Sequence, residues 1–178
     1  LFEEQTPSLV EKLKIGQLDA AFLSPPIVEK NFHTTLLFEE EYLLAVPVSH
    51  PLAKHKVVKE EDVEDQEVIL LNEGDCMRDQ TLAFCQRAHA LETQHFSATS
   101  LEILRNMVAS GHGMTLIPKL AQQANEGIVY IPFHAPKPQR SIGIYWRTST
   151  VKEKLLVAMV AQIKKIMHGQ KVVTLIES

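Results

Sequence analysis

Two cysteines are the residues of this chain best suited to redox chemistry. Cys76 and Cys85 are the only cysteines among 178 residues, and they are nine positions apart. The sequence between them is typical of a helix, in which nine residues span roughly 13–14 Å along the axis. A disulfide requires Cα atoms within about 7 Å of each other. The helix and the disulfide therefore exclude each other, and oxidation would require a change of shape.

Cys76 is predicted to begin this helix, just after a buried strand over residues 68–71. A helix N-terminus presents outward-pointing backbone amides and the positive end of the helix dipole, which favours a thiolate. The thiolate, and not the thiol, is the nucleophile that attacks peroxide. The preceding residue, Asp75, permits two interpretations. Its carboxylate opposes the thiolate by like-charge repulsion, or it serves as the N-cap of the helix.

Without any further signal, two cysteines in a cytoplasmic protein are more often inert buried thiols than redox centres. The eight histidines offer no pair with convincing ligand spacing, and two distant cysteines do not complete a zinc site. We therefore expect no metal and no other cofactor.

The composition indicates an ordinary globular protein, with 45% hydrophobic residues, 22% charged residues and a net charge of −4. The sequence has no cluster of lysine and arginine residues of the kind that binds nucleic acid or an anionic membrane, so we do not expect this chain itself to bind either. No apolar run has the length of a transmembrane helix, and no leader sequence precedes the first element. We expect a cytoplasmic protein.

The elements around the cysteines alternate between helix and strand. Thr6 is predicted to cap a first helix that ends at Gly16, and a strand over residues 18–23 follows. Residues 1–5 are predicted to be the end of a strand, and the resulting strand–helix–strand order favours a parallel sheet. The acidic run at residues 39–41 is predicted to be a solvated turn between two strands. Thr99 is predicted to form a capping box that opens a later helix.

A long amphipathic helix is predicted over residues 151–168. Its apolar face is expected to consist of Leu155, Leu156, Met159, Ile163 and Ile166. Proline-marked crossings near residues 25–38 and 136–140 suggest two α/β lobes. Residues 1–38 and 138–178 would form the first lobe, and residues 39–137 would form the second, which carries both cysteines. A cleft between two lobes is a natural ligand site.

Several motifs carry a resemblance to a known family. They are Leu13-x-x-Gly16-x-Leu18-Asp19, His50-Pro51-Leu52-Ala53 and the run from Ser100 to Pro118. These motifs resemble the effector-binding domain of LysR-type transcriptional regulators. The segments Gly74-x-Cys76-x-Arg78-Asp79-Gln80, Phe84-Cys85 and His95 to Val108 resemble, more narrowly, the peroxide-sensing members of that family. The match extends over nearly the whole chain.

The resemblance implies two Rossmann-like lobes of the type 2 periplasmic-binding-protein kind around a cleft. The first strand and helix of that domain, and the DNA-binding winged helix-turn-helix, would lie outside this chain. It further implies that Cys76 reacts with hydrogen peroxide to a sulfenic acid and that Cys85 resolves it to a disulfide. Arg140 would stabilise the thiolate, and Thr6, Gly74 and Asp75 would contact the peroxide. Asp75 departs from the better-known members, which carry histidine there.

The same resemblance implies a redox-responsive activator of antioxidant genes that is not an enzyme. We expect a homodimer through these domains, a tetramer of the full protein, DNA contact through the missing domain and RNA polymerase contact in the activated state. Three alternatives remain open at this stage. They are a LysR-type domain that binds a small metabolite in its cleft, a thiol peroxidase, and a solute-binding protein that shares the two-lobed fold.

Overall fold

The computed structural model describes residues 2–168 and 173–176, without the side chains of Gln94 and His95. The chain divides into two compact units. The first comprises the residues up to Glu40 and from Arg140 onward, and the second comprises Glu41–Gln139. The lobe boundaries expected from sequence, 38/39 and 137/138, lie two residues from these divisions. No helix within the described ranges is both long enough and apolar enough to cross a membrane.

Helices and strands alternate along much of the chain. In chain order they are α1 (Thr6–Lys14), β1 (Ala21–Leu23), β2 (Phe32–Pro47), β3 (Glu67–Leu71), α2 (Cys76–Ala88), β4 (Leu91–Ala98), α3 (Leu101–Ala109), β5 (Thr115–Pro118), β6 (Ile128–Pro132), β7 (Gln139–Arg147), α4 (Glu153–His168) and β8 (Val173–Leu175). Short 3-10 helices lie at Pro51–Lys54, Glu60–Val63 and Lys119–Ala121. The prediction of mixed helix and strand is confirmed.

The first unit is built on antiparallel strand pairs. Strand β1 pairs with β7, so that Ala21 lies opposite Tyr145, and β8 pairs with β2. The parallel arrangement expected for β1 was wrong. A parallel strand–helix–strand unit needs a strand before α1, and residues 2–5 have no regular secondary structure. Strand β1 instead pairs with the strand formed where the chain returns to this unit.

Strand β2 continues through the acidic run that was expected to be a turn. Glu40 is only 2% exposed, and its side chain lies on the same face as the buried residues Phe38 and Tyr42. This alternation follows from the two-residue period of a strand, which places every second side chain on one face. The turn prediction was therefore wrong, because a strand needs only Glu40 of the three glutamates to point inward.

The second unit contains a parallel pair, β3 and β4, in which Glu67 lies opposite Leu91. Parallel strands need a crossover connection, and here α2 provides it. Strands β5 and β6 pair antiparallel with the second part of β2. Helix α2 therefore begins at the carboxyl end of β3, and its inner face contributes to the largest hydrophobic core of the chain.

Two predicted helix caps are displaced by one residue. Thr6 is the first residue of α1, and Gln5 occupies the N-cap position. Ser100, and not Thr99, caps α3, because its hydroxyl oxygen accepts a hydrogen bond from the Ile103 N–H at 3.3 Å. Gly16 follows the end of α1 with a φ of +83°, as expected for a residue in the left-handed region.

The buried face of α4 is also displaced from the predicted one. Leu156 is 4% exposed, whereas Leu155 and Ile166 are 65% and 66% exposed. The inner stripe continues from Leu156 through Met159, Val160, Ile163 and Met167. These positions fit the helical period better than the predicted set does, because Leu155 and Ile166 lie at the edge of that stripe.

Candidate redox site

Cys76 is the first residue of α2, and local sequence fixes its position. A turn from Asn72 is closed by a hydrogen bond from the Asp75 N–H to the Asn72 carbonyl at 3.4 Å. Gly74 has a φ of +88° within this turn, a conformation that favours glycine. Asp75 is the N-cap, and its Oδ1 accepts a hydrogen bond from the Met77 N–H at 2.8 Å. The interpretation of Asp75 as an N-cap is confirmed.

The two cysteines lie at different depths of the same helix. Cys85 is 2% exposed, whereas Cys76 is partly exposed. Both belong to the described residues, and neither forms a disulfide. Nine residues correspond to two and a half turns, so the two side chains point to opposite sides of α2 and lie more than about 13 Å apart along its axis. A disulfide between them requires the helix to unwind.

The inner face of α2 is packed against the second unit's core. It consists of Met77, Thr81, Phe84, Cys85 and Ala88. The Phe84 ring meets the Phe133 ring edge-on, with 5.3 Å between the centroids. This burial stabilises the packed position of α2, since a fully buried large apolar side chain is worth about 1.5–3 kcal/mol.

Polar side chains tie the middle and the first turn of α2 to its neighbours. The Tyr42 hydroxyl of β2 donates to the Gln80 Oε1 at 2.5 Å. Arg78 donates to the Leu71 carbonyl at 3.0 Å and to the Glu92 carboxylate at 2.7 Å. These contacts must break if residues 76–85 unwind and move away. Because hydrogen bonds are directional, these contacts also fix the orientation of the helix against its neighbours.

Burial raises the pKa of the Cys85 thiol from 9.0 to about 11, and the negative charge of Glu92 adds to the effect. A thiol with such a pKa carries almost no thiolate at neutral pH. Cys85 is therefore a poor nucleophile as long as α2 is folded. Exposure to water would return its pKa towards the ordinary thiol value and so increase its thiolate fraction.

This raised pKa predicts a loss of stability at high pH. Between pH 9 and 11 Cys85 loses its proton in the unfolded chain but keeps it in the folded protein, so the folded state binds more protons. The free energy of unfolding should then fall as pH rises through this window, by roughly 2 kcal/mol between pH 8 and pH 10.5, and be nearly unaffected below it. Urea unfolding of wild-type protein and of Cys85→Ala at pH 8 and pH 10.5 measures the effect. An equal loss in both proteins would contradict it.

Arg140 lies in β7 of the first unit, where it pairs with Glu40. Its Nε and Nη2 contact the Glu40 Oε1 at 2.7 and 2.6 Å, and the side chains are 18% and 1% exposed. Burying a carboxylate is costly unless a hydrogen-bonded cation accompanies it. The buried partner of Arg140 was missed in the sequence. The sequence signal for the burial of Glu40 is the alternation of Phe38, Glu40 and Tyr42 along one face of a strand.

Four of the six predicted site residues lie on one continuous segment of the second unit, although the two cysteines are at different turns of its helix. Gly74, Asp75, Cys76 and Cys85 all belong to α2 or to the turn that leads into it. Thr6 and Arg140 belong to the first unit. Their predicted roles in peroxide binding and thiolate stabilisation remain predictions.

Sequence reasoning gave Arg78 no role and missed Glu92, which contacts it. No local pattern could have revealed the pair, because Glu92 follows Arg78 by fourteen residues and is placed beside it only by the β3–α2–β4 crossover. Within the described part of the chain, no group of three or more histidine, cysteine, aspartate or glutamate side chains could hold a metal ion.

The sequence of this chain is similar to those of known proteins. Residues 1–167 match the model described as the LysR substrate binding domain. The chain is 37% identical to a hydrogen peroxide-inducible genes activator of Haemophilus influenzae, over 96% of this chain and 59% of that protein. It is 38% identical to the DNA-binding transcriptional dual regulator OxyR of Escherichia coli K12, over 95% and 56% of the two chains. It thus spans between half and two thirds of these curated relatives.

Solved structures of OxyR resemble this chain in both redox forms. A crystal structure of oxidised OxyR superposes with a TM-score of 0.85 at 38% identity, covering 96% of this chain and 82% of that one. A reduced form gives the same TM-score at 35% identity, with the same coverage of both chains. A reduced form of OxyR from N. meningitidis gives 0.87 at 32% identity, covering 98% and 83%. The two-lobed fold predicted from the sequence is confirmed by these similarities.

Proposed function

Because this chain belongs to the family of LysR substrate-binding domains, with the relatives described above, we propose that it is the peroxide-sensing part of a transcriptional regulator. Hydrogen peroxide is its effector, and a disulfide between Cys76 and Cys85 is its signal. The observation that carries this proposal is the placement of both cysteines at the two ends of one packed helix. In the reduced protein residues 76–85 are helical, and in the oxidised protein the disulfide requires them to be unwound.

The first step takes place at Cys76. The Cys76 thiolate attacks one peroxide oxygen, an S–O bond forms, the O–O bond breaks, and the leaving hydroxide takes a proton to become water. Sulfur loses two electrons in this step and peroxide gains them. Partial exposure and the N-terminus of α2 suit Cys76 for this role.

The second step needs Cys85, and the folded helix delays it. Once residues 76–85 unwind, the Cys85 thiol loses its proton and attacks the Cys76 sulfur. The S–S bond forms, the S–O bond breaks, and hydroxide leaves as water. Burial of Cys85 and its raised pKa support a role in this later step. Cys76 is the peroxidatic residue and Cys85 the resolving one.

The proposal extends to the other predicted site residues and to partners. Arg140 stabilises the thiolate, and Thr6, Gly74 and Asp75 contact the peroxide, as the family resemblance implies. The full protein is a cytoplasmic activator that forms dimers and tetramers, binds DNA through another domain and contacts RNA polymerase when oxidised. A reducing cytoplasm returns the disulfide to two thiols.

Thiol titration tests the proposal. Reduced protein should contain two reactive thiols after denaturation, and one equivalent of hydrogen peroxide should remove both while one intramolecular disulfide appears in the peptide map. Peroxide consumption should stop at one equivalent without a reductant, because each peroxide takes two electrons and the two thiols supply only two when they form one disulfide. Retention of both thiols would contradict the sensor, and rapid turnover with a thiol reductant would identify a peroxidase instead.

Replacing Asp75 with asparagine should accelerate the reaction of Cys76 with peroxide. Asparagine caps a helix as well as aspartate does, so the change removes the negative charge but keeps the hydrogen bond to Met77. A unit charge about 4 Å away in water contributes about 1 kcal/mol, which corresponds to roughly fivefold in rate. Stopped-flow kinetics in a Cys85→Ser background measures this step alone.

Asp75→Ala serves as the matched variant, because it removes the charge and the cap together. We expect it to lower the free energy of unfolding by about 1 kcal/mol, whereas Asp75→Asn leaves stability nearly unchanged. Asp75→His tests whether the histidine of the better-known relatives increases the rate further. An Asp75→Asn protein that reacts no faster than wild type would show that the carboxylate does not restrain Cys76.

A further inference from the structure

Thr81 carries a buried hydroxyl that lacks a hydrogen bond. The residue is 1% exposed, and its Oγ1 has no hydrogen-bond partner within the described part of the chain. A helical threonine can satisfy its hydroxyl with the carbonyl four residues earlier, but here it does not. Buried side-chain polar atoms are bonded in the large majority of cases, so an exception needs an explanation.

The same core contains a threonine that is satisfied. Thr115 of β5 is fully buried, and its hydroxyl donates to the Ile69 carbonyl at 2.8 Å. The core can therefore accommodate a threonine with a partner, and Thr81 is placed where it has none. A second threonine without a partner, Thr93, lies on β4, outside the segment between the cysteines.

Thr81 occupies the middle of the segment that oxidation must rearrange. It lies five residues after Cys76 and four before Cys85, on the same inner face as Met77 and Phe84. In folded α2 its hydroxyl is shielded from bulk solvent and has no protein partner within the described residues. Unwinding returns the hydroxyl to water and removes that penalty. The penalty therefore destabilises the folded state of this segment and not its unwound state.

We propose that Thr81 destabilises the folded form of α2 selectively and so lowers the free energy needed to unwind residues 76–85. This inference deepens the proposed function and rests on it for its biological meaning. Thr81 acts through the helix and not on peroxide, which makes it a positioning residue. It sets how readily Cys85 reaches the oxidised Cys76.

The Thr81→Val substitution measures the effect of the hydroxyl alone. Valine has nearly the same shape and a similar helix propensity, so the substitution replaces an unpartnered polar group with an apolar one. We expect about tenfold greater protection of the α2 amides against hydrogen exchange in reduced protein without peroxide. This measurement reports local opening of the helix. Unchanged or lower protection would overturn the inference.

Two matched variants serve as controls. Thr93→Val removes the same kind of group from β4 and should leave the local opening of α2 unchanged. Thr115→Val removes a hydroxyl that makes a hydrogen bond, and it should lower overall stability. An increase in α2 protection in Thr93→Val equal to that in Thr81→Val would also overturn the inference, because the effect would then belong to the core as a whole.

Redox readouts complete the test. In Thr81→Val, disulfide closure should slow about tenfold and the reduction potential should rise by about 30 mV, the equivalent of tenfold for a two-electron couple. Sulfenic acid formation at Cys76, measured in a Cys85→Ser background, should not change. If wild-type protein forms no disulfide at all, the proposed function fails. The exchange measurement, which needs no peroxide, still decides the role of Thr81.

Discussion

Replacing Cys76 with serine should abolish peroxide-induced disulfide formation. A serine hydroxyl carries no appreciable alkoxide at neutral pH, and buried Cys85 has a pKa of about 11, so no thiolate remains to attack peroxide. After one equivalent of peroxide, the Cys85 thiol should still titrate in full. Mass spectrometry with a sulfenic acid trap should find no product at either position.

Cys85→Ser is the matched control for this result. It keeps the exposed cysteine at the start of α2 and removes the buried one, so Cys76 should form a sulfenic acid that the trap captures and that persists without a resolving thiol. The opposite pattern, in which Cys76→Ser is oxidised at Cys85 and Cys85→Ser is inert, would reverse the assigned roles.

Replacing Phe84 with alanine should produce the largest loss of stability on α2. The Phe84 side chain is 1% exposed and packs edge-on against Phe133. Truncating a fully buried phenylalanine costs about 3–5 kcal/mol, because both the apolar contacts and the packing around the cavity are lost. Urea unfolding of the reduced protein measures this change, and Phe84→Leu should lose distinctly less.

Ile166→Ala provides a control on a helix of the first unit. Ile166 was predicted to be buried from its sequence pattern, but it is 66% exposed. Its truncation should change the free energy of unfolding by no more than about 0.5 kcal/mol. A loss comparable to that of Phe84→Ala would mean that Ile166 is covered in solution.

The structural features that were predicted correctly from the sequence are those with local sequence signals. The strand before the cysteines, the N-cap at Asp75 and the start of α2 at Cys76 depend on neighbouring residues, and the structure agrees with all three. Depth within the core is harder to infer. The apolar residues of α4 indicate a helix, but more of them are available than one stripe can hold, and the packed stripe includes Leu156 and leaves Leu155 exposed.

Long-range partners could not be predicted from the sequence. Glu40 looked like part of a solvated turn because acidic residues are seldom buried, and only the return of the chain as β7 brings Arg140 to it. Arg78 and Glu92 meet for a similar reason, through the crossover from β3 to β4. The missing partner of Thr81 is likewise a property of the packed core.

The proposed switch requires that the α2 helix and the Cys76–Cys85 disulfide exclude each other. Hydrogen exchange of residues 77–85, followed by mass spectrometry before and after one equivalent of peroxide, measures both in one sample. We expect strong amide protection and two thiols in the reduced protein. After oxidation we expect a Cys76–Cys85 disulfide together with loss of that protection. A disulfide between these cysteines with the protection of α2 unchanged would contradict the account.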